Sequence, residues 1–369
     1  MDAKQYDIII IGGGSAGLGA LGIAKELGWK PLMIDKEEAH IGGDCLNFGC
    51  VPSKALIHIA KQFHGARKAN GFGLQVEGKA DMKKILDYVH DKQAVIRHHE
   101  SAEYIRSQGI DLVIGVASFI DKETIQVGTE YFTAPHIIIA TGSRPRHIPF
   151  KGIDQVKVYT NENLFYDMKK LPERLLVVGG GPIGCEMAQT FQRFGSQVTI
   201  VDRGDRILNK EREEYSQILS EQLRKEGIEI INNASLVEFS SSHSAKIDVA
   251  GKGILDIEFD VVLMSIGRVL NLEDLQLEKG GIETDDRGKM ILDHCLRTTN
   301  KRVYASGDAA GMYQFSHGAE LHTRLLKYNF ENNFTKSHNA DNLSWVTFCL
   351  LYTSPSPRDR TRSRMPSSA

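Results

Sequence analysis

The sequence predicts an α/β protein built on two dinucleotide-binding units, and three observations carry that reading. A short apolar run over residues 6–11 ends in Gly12-Gly13-Gly14-Ser15-Ala16-Gly17, a helical stretch follows, and a second apolar run ends in Asp35. The series recurs at residues 174–178, followed by Gly179-Gly180-Gly181-Pro182-Ile183-Gly184, a helical stretch and a strand ending in Asp202. The offset from Gly12 to Asp35 equals that from Gly179 to Asp202. Strand, G-x-G-x-x-G turn, helix, strand and acid in register describe a Rossmann-like unit. Two units imply two nucleotides, and the simplest reason to hold two is to pass a hydride between them.

In the first unit Gly12 makes the tight turn, Gly14 lets the backbone approach a pyrophosphate, and Gly17 lets helix and strand pack closely. The helix opening at Ser15 and Ala16 turns free N–H groups and a positive dipole end toward the phosphates. Asp35, followed by Lys36, is placed to accept from a ribose hydroxyl. In the second unit Gly179, Gly181, Pro182, Ile183 and Gly184 repeat these roles, and Asp202 does the work of Asp35. Asp202 favours NADH because it bonds a ribose diol and repels a 2′-phosphate. Arg203 and Arg206 lie close enough to partner that phosphate, so NADPH stands as the alternative.

Between the units the pattern predicts a helix over residues 54–68 and one long amphipathic helix over about residues 81–108. Strands follow at 111–114, 118–120, 124–127 and 136–140. Thr141-Gly142-Ser143-Arg144-Pro145 marks a boundary near residue 150. A strand over 261–265 leads to a second boundary near Gly267-Arg268. A last strand at 303–305 precedes Ser306-Gly307-Asp308.

The chemistry centres on Gly42-Gly43-Asp44-Cys45-Leu46-Asn47-Phe48-Gly49-Cys50-Val51-Pro52-Ser53-Lys54. Two cysteines between glycines, just ahead of a helical run, suggest a disulfide that opens and closes. An ideal helix would hold them too far apart to bridge, and Gly49 lets the backbone bend. The rival is a metal site, but the His40, Cys45, Cys50, His58 spacing fits no common zinc pattern, so none is expected. Cys185, Cys295 and Cys349 carry no sign of chemistry, and Cys185, in a helix after a glycine motif, reads as packed.

With 45 basic against 47 acidic residues in 369, nothing in the charge pulls toward nucleic acid or membrane. The apolar run at residues 8–11 is far shorter than the ~20 residues of a spanning helix. Five cysteines are too few, and odd in number, for a secreted disulfide scaffold, so a reducing cytoplasm is expected. Residues 354–369 hold three of the ten prolines, four arginines and Met365 as the one large apolar side chain. Such a segment cannot bury enough surface to fold, so residues 349–369 read as a disordered or non-native tail.

Together these motifs resemble the flavin-dependent pyridine nucleotide–disulfide oxidoreductases, the family of dihydrolipoamide dehydrogenase, glutathione reductase and mercuric reductase. The likeness runs over about residues 5–348, with Asp44 where threonine is usual and Leu270 where proline is usual. It implies an FAD domain (1–150 and 271–335) with an NAD(P) domain (151–270) inserted. Gly12, Gly14, Ser15, Ala16, Gly17, Asp35, Lys36, Gly43, Asp44, Lys54, Ala140, Thr141, Gly142, Asp308, Ala309 and His317 would face FAD. Gly179, Gly181, Pro182, Ile183, Gly184, Glu186, Asp202, Arg203 and Gly267 would face the NAD(P)H nucleotide.

The resemblance further implies that electrons pass from NAD(P)H through the flavin to Cys50, with Cys45 attacking a small-molecule or protein-bound disulfide. Lys54 and Glu186 would pair beside the flavin's reactive nitrogen. Ser316-His317-Gly318-Ala319 would open a helix whose dipole stabilises the reduced ring. A metal-ion reductase of the mercuric type is the alternative, as is an incomplete FAD-binding fragment. The chain resembles the opening of a dimerisation domain at residues 336–348 and then departs from it. A domain of roughly 100 residues is therefore expected to be missing, together with a catalytic His–Glu pair and most of a homodimer interface.

Overall fold

The computed structural model describes residues 2–338 and residue 347. Its first sheet is wholly parallel, in the order Val303–Ala305, His136–Ile139, Ile8–Ile11, Pro31–Asp35, Asp111–Ile114. Ile8–Ile11 is buried along its whole length between two neighbours. That placement is why four isoleucines stand in a row with no alternation. A second parallel sheet runs Val158–Tyr159, Val261–Met264, Arg174–Val178, Gln197–Val201, Glu229–Ile231.

The edge strand Val303–Ala305 of the first sheet follows the whole second sheet in sequence, so the chain leaves one unit, builds the other and returns. Two antiparallel strands, Ser143–Pro145 and Arg268–Leu270, form the crossing. Leu270 pairs with Ser143 there.

The helices are α1 (Ser15–Leu27), α2 (Gly43–Asn47), α3 (Cys50–Ala69), α4 (Met82–Arg97), α5 (Ala102–Ser107), α6 (Asn161–Asp167), α7 (Pro182–Phe194), α8 (Glu213–Lys225) and α9 (Ser316–Glu331). The single helix expected over residues 81–108 is two. Arg97 ends α4, and the Ser101 side chain accepts from the Tyr104 N–H to cap α5. The break takes barely one turn, so the apolar period runs through it.

The helix expected from Lys54 starts earlier, at Cys50. A four-stranded sheet holds Glu130–Thr133, and an antiparallel meander holds Ala234–Ser241, Ser244–Val249 and Gly253–Glu258. None of these four strands was expected from the sequence, although Ser244-Ala245-Lys246-Ile247-Asp248-Val249 alternates polar and apolar residues.

Helices α3 and α7 share one buried cluster, in which Leu56 and Ala60 meet Met187, Phe191 and Phe194. The helix carrying Cys50 is thereby seated directly on the second unit. Among the described residues no helix is long and apolar enough to cross a membrane. Cys349, the stretch around Trp345 and the tail over 349–369 lie outside the described residues.

Candidate functional site

The two glycine turns are built alike. Gly12 has φ of 111° and sits so close to Ala140 that a Cβ would come 2.3 Å from its carbonyl oxygen. A Cβ on Gly17 would meet the Gly12 oxygen at 1.8 Å. In the second unit Gly179 stands against Ser265, with 2.4 Å for the same test, and Gly184 against Gly179, with 2.0 Å.

Gly14 and Gly181 precede α1 and α7 with no side-chain cap, which leaves first-turn N–H groups facing outward. Asp35 accepts from Gly13 N at 2.6 Å and from Glu37 N at 3.0 Å. Asp202 accepts from Gly180 N at 2.6 Å and from Gly204 N at 2.7 Å. Each acid therefore braces its own glycine turn, a job the sequence pattern did not reveal.

One cleft of about 3380 Å³ joins the turns, far larger than the ~300–1,000 Å³ of a drug-sized pocket. Of the residues singled out from sequence, Gly14, Ser15, Asp35, Lys36, Gly43, Asp44, Cys45, Cys50, Lys54, Thr141, Gly142, Asp308 and His317 line it. So do Gly12, Ala16, Ala140, Gly179, Gly181, Pro182, Ile183, Glu186, Asp202, Arg203 and Gly267. Gly17, Gly184 and Ala309 do not: the two glycines pack against Gly12 and Gly179, and Ala309 lies in a buried cluster with Ile9 and Ile11. The Thr141 Oγ1 and Ser306 Oγ atoms are buried at this cleft without a hydrogen-bond partner. Unspent buried donors beside open glycine turns fit a polar, phosphate-bearing cofactor.

The cysteines sit on two helices joined by Phe48-Gly49. Gly42 and Gly43 both take positive φ to start α2. Gly49 turns the chain at φ −126° and ψ −112°, outside the ordinary helical and extended regions, as the expected bend requires. A side chain is excluded there because a Cβ would lie 2.8 Å from the Asp44 carbonyl oxygen. Gly49 therefore supplies both the bend and room for that contact.

Cys45 and Cys50 stand as two thiols. Cys50 is the first residue of the 20-residue helix α3, where the positive helix end favours a thiolate. The Cys50 thiol is lowered to about 6, first by a hydrogen bond from Cys45, then by the Ser316 hydroxyl and Lys54. Burial and Glu186 oppose this shift. Cys45 is pushed up, chiefly because its S–H serves Cys50, then by burial and the nearby Glu100 carboxylate.

Lys54, one turn along α3, donates to Glu186 on α7 at 2.8 Å, and Glu186 is buried. Ser316 Oγ stands 3.4 Å from Cys50 Sγ at the start of α9, beside His317, whose ring stacks on Phe315.

Sequence reasoning missed several residues. Buried Asn47 donates to the carbonyls of His40, Ile41 and Gly43 and accepts from Arg97 at 2.7 Å. Gln93 and Tyr166 bond its own carbonyl oxygen. Arg268 bonds Asp44 and Ser143 and stands 3.8 Å from the Asp308 carboxylate. Burial pushes the Asp308 carboxyl up, against a Ser143 hydrogen bond and the Arg268 charge. The signal was present for Ser316 and Arg268, which lie inside motifs already noted. For Asn47 it lay only in an uncharged polar residue beside a cysteine.

Residues 6–324 match the family described as pyridine nucleotide-disulphide oxidoreductase. The chain belongs to that family. Its members bind FAD and a pyridine nucleotide, and the paired glycine turns of this chain suit both. The chain is similar to a mercuric reductase of Staphylococcus aureus, 35% identical over 330 residues, 88% of this chain and 59% of the relative. It is also similar to a dihydrolipoyl dehydrogenase of Bacillus subtilis (strain 168), 33% identical over 94% of this chain and 75% of the relative.

Among solved structures it resembles the Cu(II) complex of the HOCl-induced flavoprotein disulfide reductase RclA from Escherichia coli. The TM-score is 0.77 at 28% identity, covering 91% of this chain and 73% of the other. The chain thus spans a little over half the length of the mercuric reductases of Staphylococcus aureus and Bacillus cereus, 59% and 55%.

Proposed function

We propose that this chain carries the electron path of an FAD-dependent, NAD(P)H-linked disulfide oxidoreductase. The observation that carries the reading is Cys50, held toward its thiolate by Cys45, Ser316 and Lys54 in the cleft that joins both glycine turns. Bound FAD supplies a two-electron relay between nicotinamide and sulfur. Gly12, Gly14 and the first turn of α1 would hold its diphosphate, and Asp308 and His317 would line its inner end. Gly179, Gly181 and the first turn of α7 would hold the nicotinamide nucleotide.

NAD(P)H, a proton and the Cys45–Cys50 disulfide become NAD(P)⁺ and two thiols. Cys45 then attacks one sulfur of a small-molecule or protein-bound disulfide, giving up the proton it shares with Cys50, and the other sulfur leaves as a thiol. Cys50 next displaces the bound thiol and restores the internal disulfide. Lys54 offsets the negative charge on Cys50 whenever that sulfur is a thiolate. Relatives of the family are generally dimeric, and the homodimer and a cytoplasmic setting belong to this proposal. So do the boundaries near residues 150 and 270.

NADH is the proposed donor. Support comes from the Asp202 carboxylate in the second cleft arm, where it would repel a 2′-phosphate. In FAD-loaded protein with the disulfide formed, anaerobic NADH should expose two titratable thiols, and none in Cys50→Ser. A loaded protein that gains no thiols with either nucleotide refutes the reading. Equal or faster reduction by NADPH refutes the nucleotide assignment alone.

A further inference from the structure

We propose that Asp44 and Arg268 form an ion-pair latch that sets how tightly this chain holds the FAD diphosphate. The inference rests on the FAD reading above and concerns the strength of binding. Arg268 lies on the strand that returns from the second unit, and its side chain is 13% exposed. Its Nη2 bonds Asp44 and donates to the Ser143 carbonyl oxygen at 2.6 Å. Its Nε donates to Ser143 Oγ at 2.7 Å, and that hydroxyl donates onward to Asp308 at 2.5 Å. One guanidinium thus serves two carboxylates, and the group as a whole is negative.

Its position gives that charge a consequence. Asp44 follows Gly43, whose backbone presses on Gly14 so closely that a Cβ would come 2.6 Å from the Gly14 Cα. Gly14 is the glycine that admits a diphosphate. At position 44, where a neutral hydroxyl is usual in the resemblance noted above, this chain places a carboxylate that can only accept hydrogen bonds. The Asp44 side chain is 38% exposed to the cleft. Arg268 is engaged by Asp44 instead of being free to face a phosphate. Closed, the latch fastens the cysteine helix α2 to the crossing strands and weakens the attraction for an anion. Neutralising Asp44 frees the guanidinium and removes a repulsion at once.

The test titrates apoprotein with FAD, following flavin fluorescence at low and high salt. Asp44→Asn should bind FAD about tenfold more tightly than wild type at low salt, and the gain should shrink at high salt because exposed charges are screened. Asp44→Thr, a second neutral variant, should do the same, while Arg268→Gln should bind more weakly than wild type. Wild-type binding with neutral variants that bind equally or more weakly overturns the latch. A gain that persists unchanged at high salt also overturns it. A wild-type protein that binds no FAD overturns the cofactor reading itself, and the latch with it.

Discussion

Ser316 Oγ lies 3.4 Å from Cys50 Sγ and so joins the first residue of α9 to the first residue of α3. Two helix N-termini converge on one sulfur, from segments separated by most of the chain. A hydroxyl here stabilises the thiolate as a donor. Removing it should therefore move the Cys50 midpoint up from about 6 toward the ordinary thiol range. Ser316→Ala should slow iodoacetamide alkylation of Cys50 at neutral pH by roughly two- to threefold, with no loss at high pH. An unchanged pH profile would show that the hydroxyl plays no part.

Glu100 acts on the other sulfur. Gln93 and Arg97 on α4 bond the α2 backbone and side chain at Leu46 and Asn47, and Glu100 follows one turn on. Burial raises the Glu100 carboxyl, and once ionised it opposes a second negative charge on Cys45. Glu100→Gln should lower the Cys45 midpoint, read as faster alkylation below the wild-type midpoint in a Cys50→Ser background. A midpoint that stays or rises would contradict this sign.

The Lys54–Glu186 bond crosses the α3–α7 seam at 2.8 Å with Glu186 buried and Lys54 a third exposed. Lys54→Met takes the cation from a buried carboxylate and should cost about 1–2 kcal/mol in urea unfolding. Adding Glu186→Gln should recover part of that loss, since the pair fails as a unit. Strictly additive losses would mean that the two residues act independently.

Asn47 bonds three carbonyl groups and Arg97 from a fully buried position. Asn47→Ala should destabilise by about 2–3 kcal/mol through unsatisfied buried partners. It should also make Cys45 alkylate faster, because α2 loses its anchor. Faster alkylation without destabilisation would place the role of Asn47 elsewhere.

The strand edges that hold the glycine turns were legible because parallel strands buried on both faces leave unbroken apolar runs. Arg174–Val178 and Gln197–Val201 fall where the pattern puts them. The meander over Ala234–Ser241, Ser244–Val249 and Gly253–Glu258 was missed: its last strand is largely exposed, and the alternation of Ser244–Val249 was overlooked. The break at His98 to Ser101 was hidden by its shortness. Gly49 was legible as the bend between the cysteines, but its close contact with the Asp44 carbonyl was not.

What the sequence determined by itself is local: two glycine turns with their acids, and a cysteine pair ahead of a helix. These are short-range patterns set by backbone sterics and period. Tertiary structure decided which distant groups meet them. Ser316 and Cys50, Lys54 and Glu186, and Arg268 between Asp44 and Asp308 all come from separate elements. Packing of α3 on α7 and the return of the chain through Arg268–Leu270 bring them together, and no periodicity in one segment encodes its partner in another.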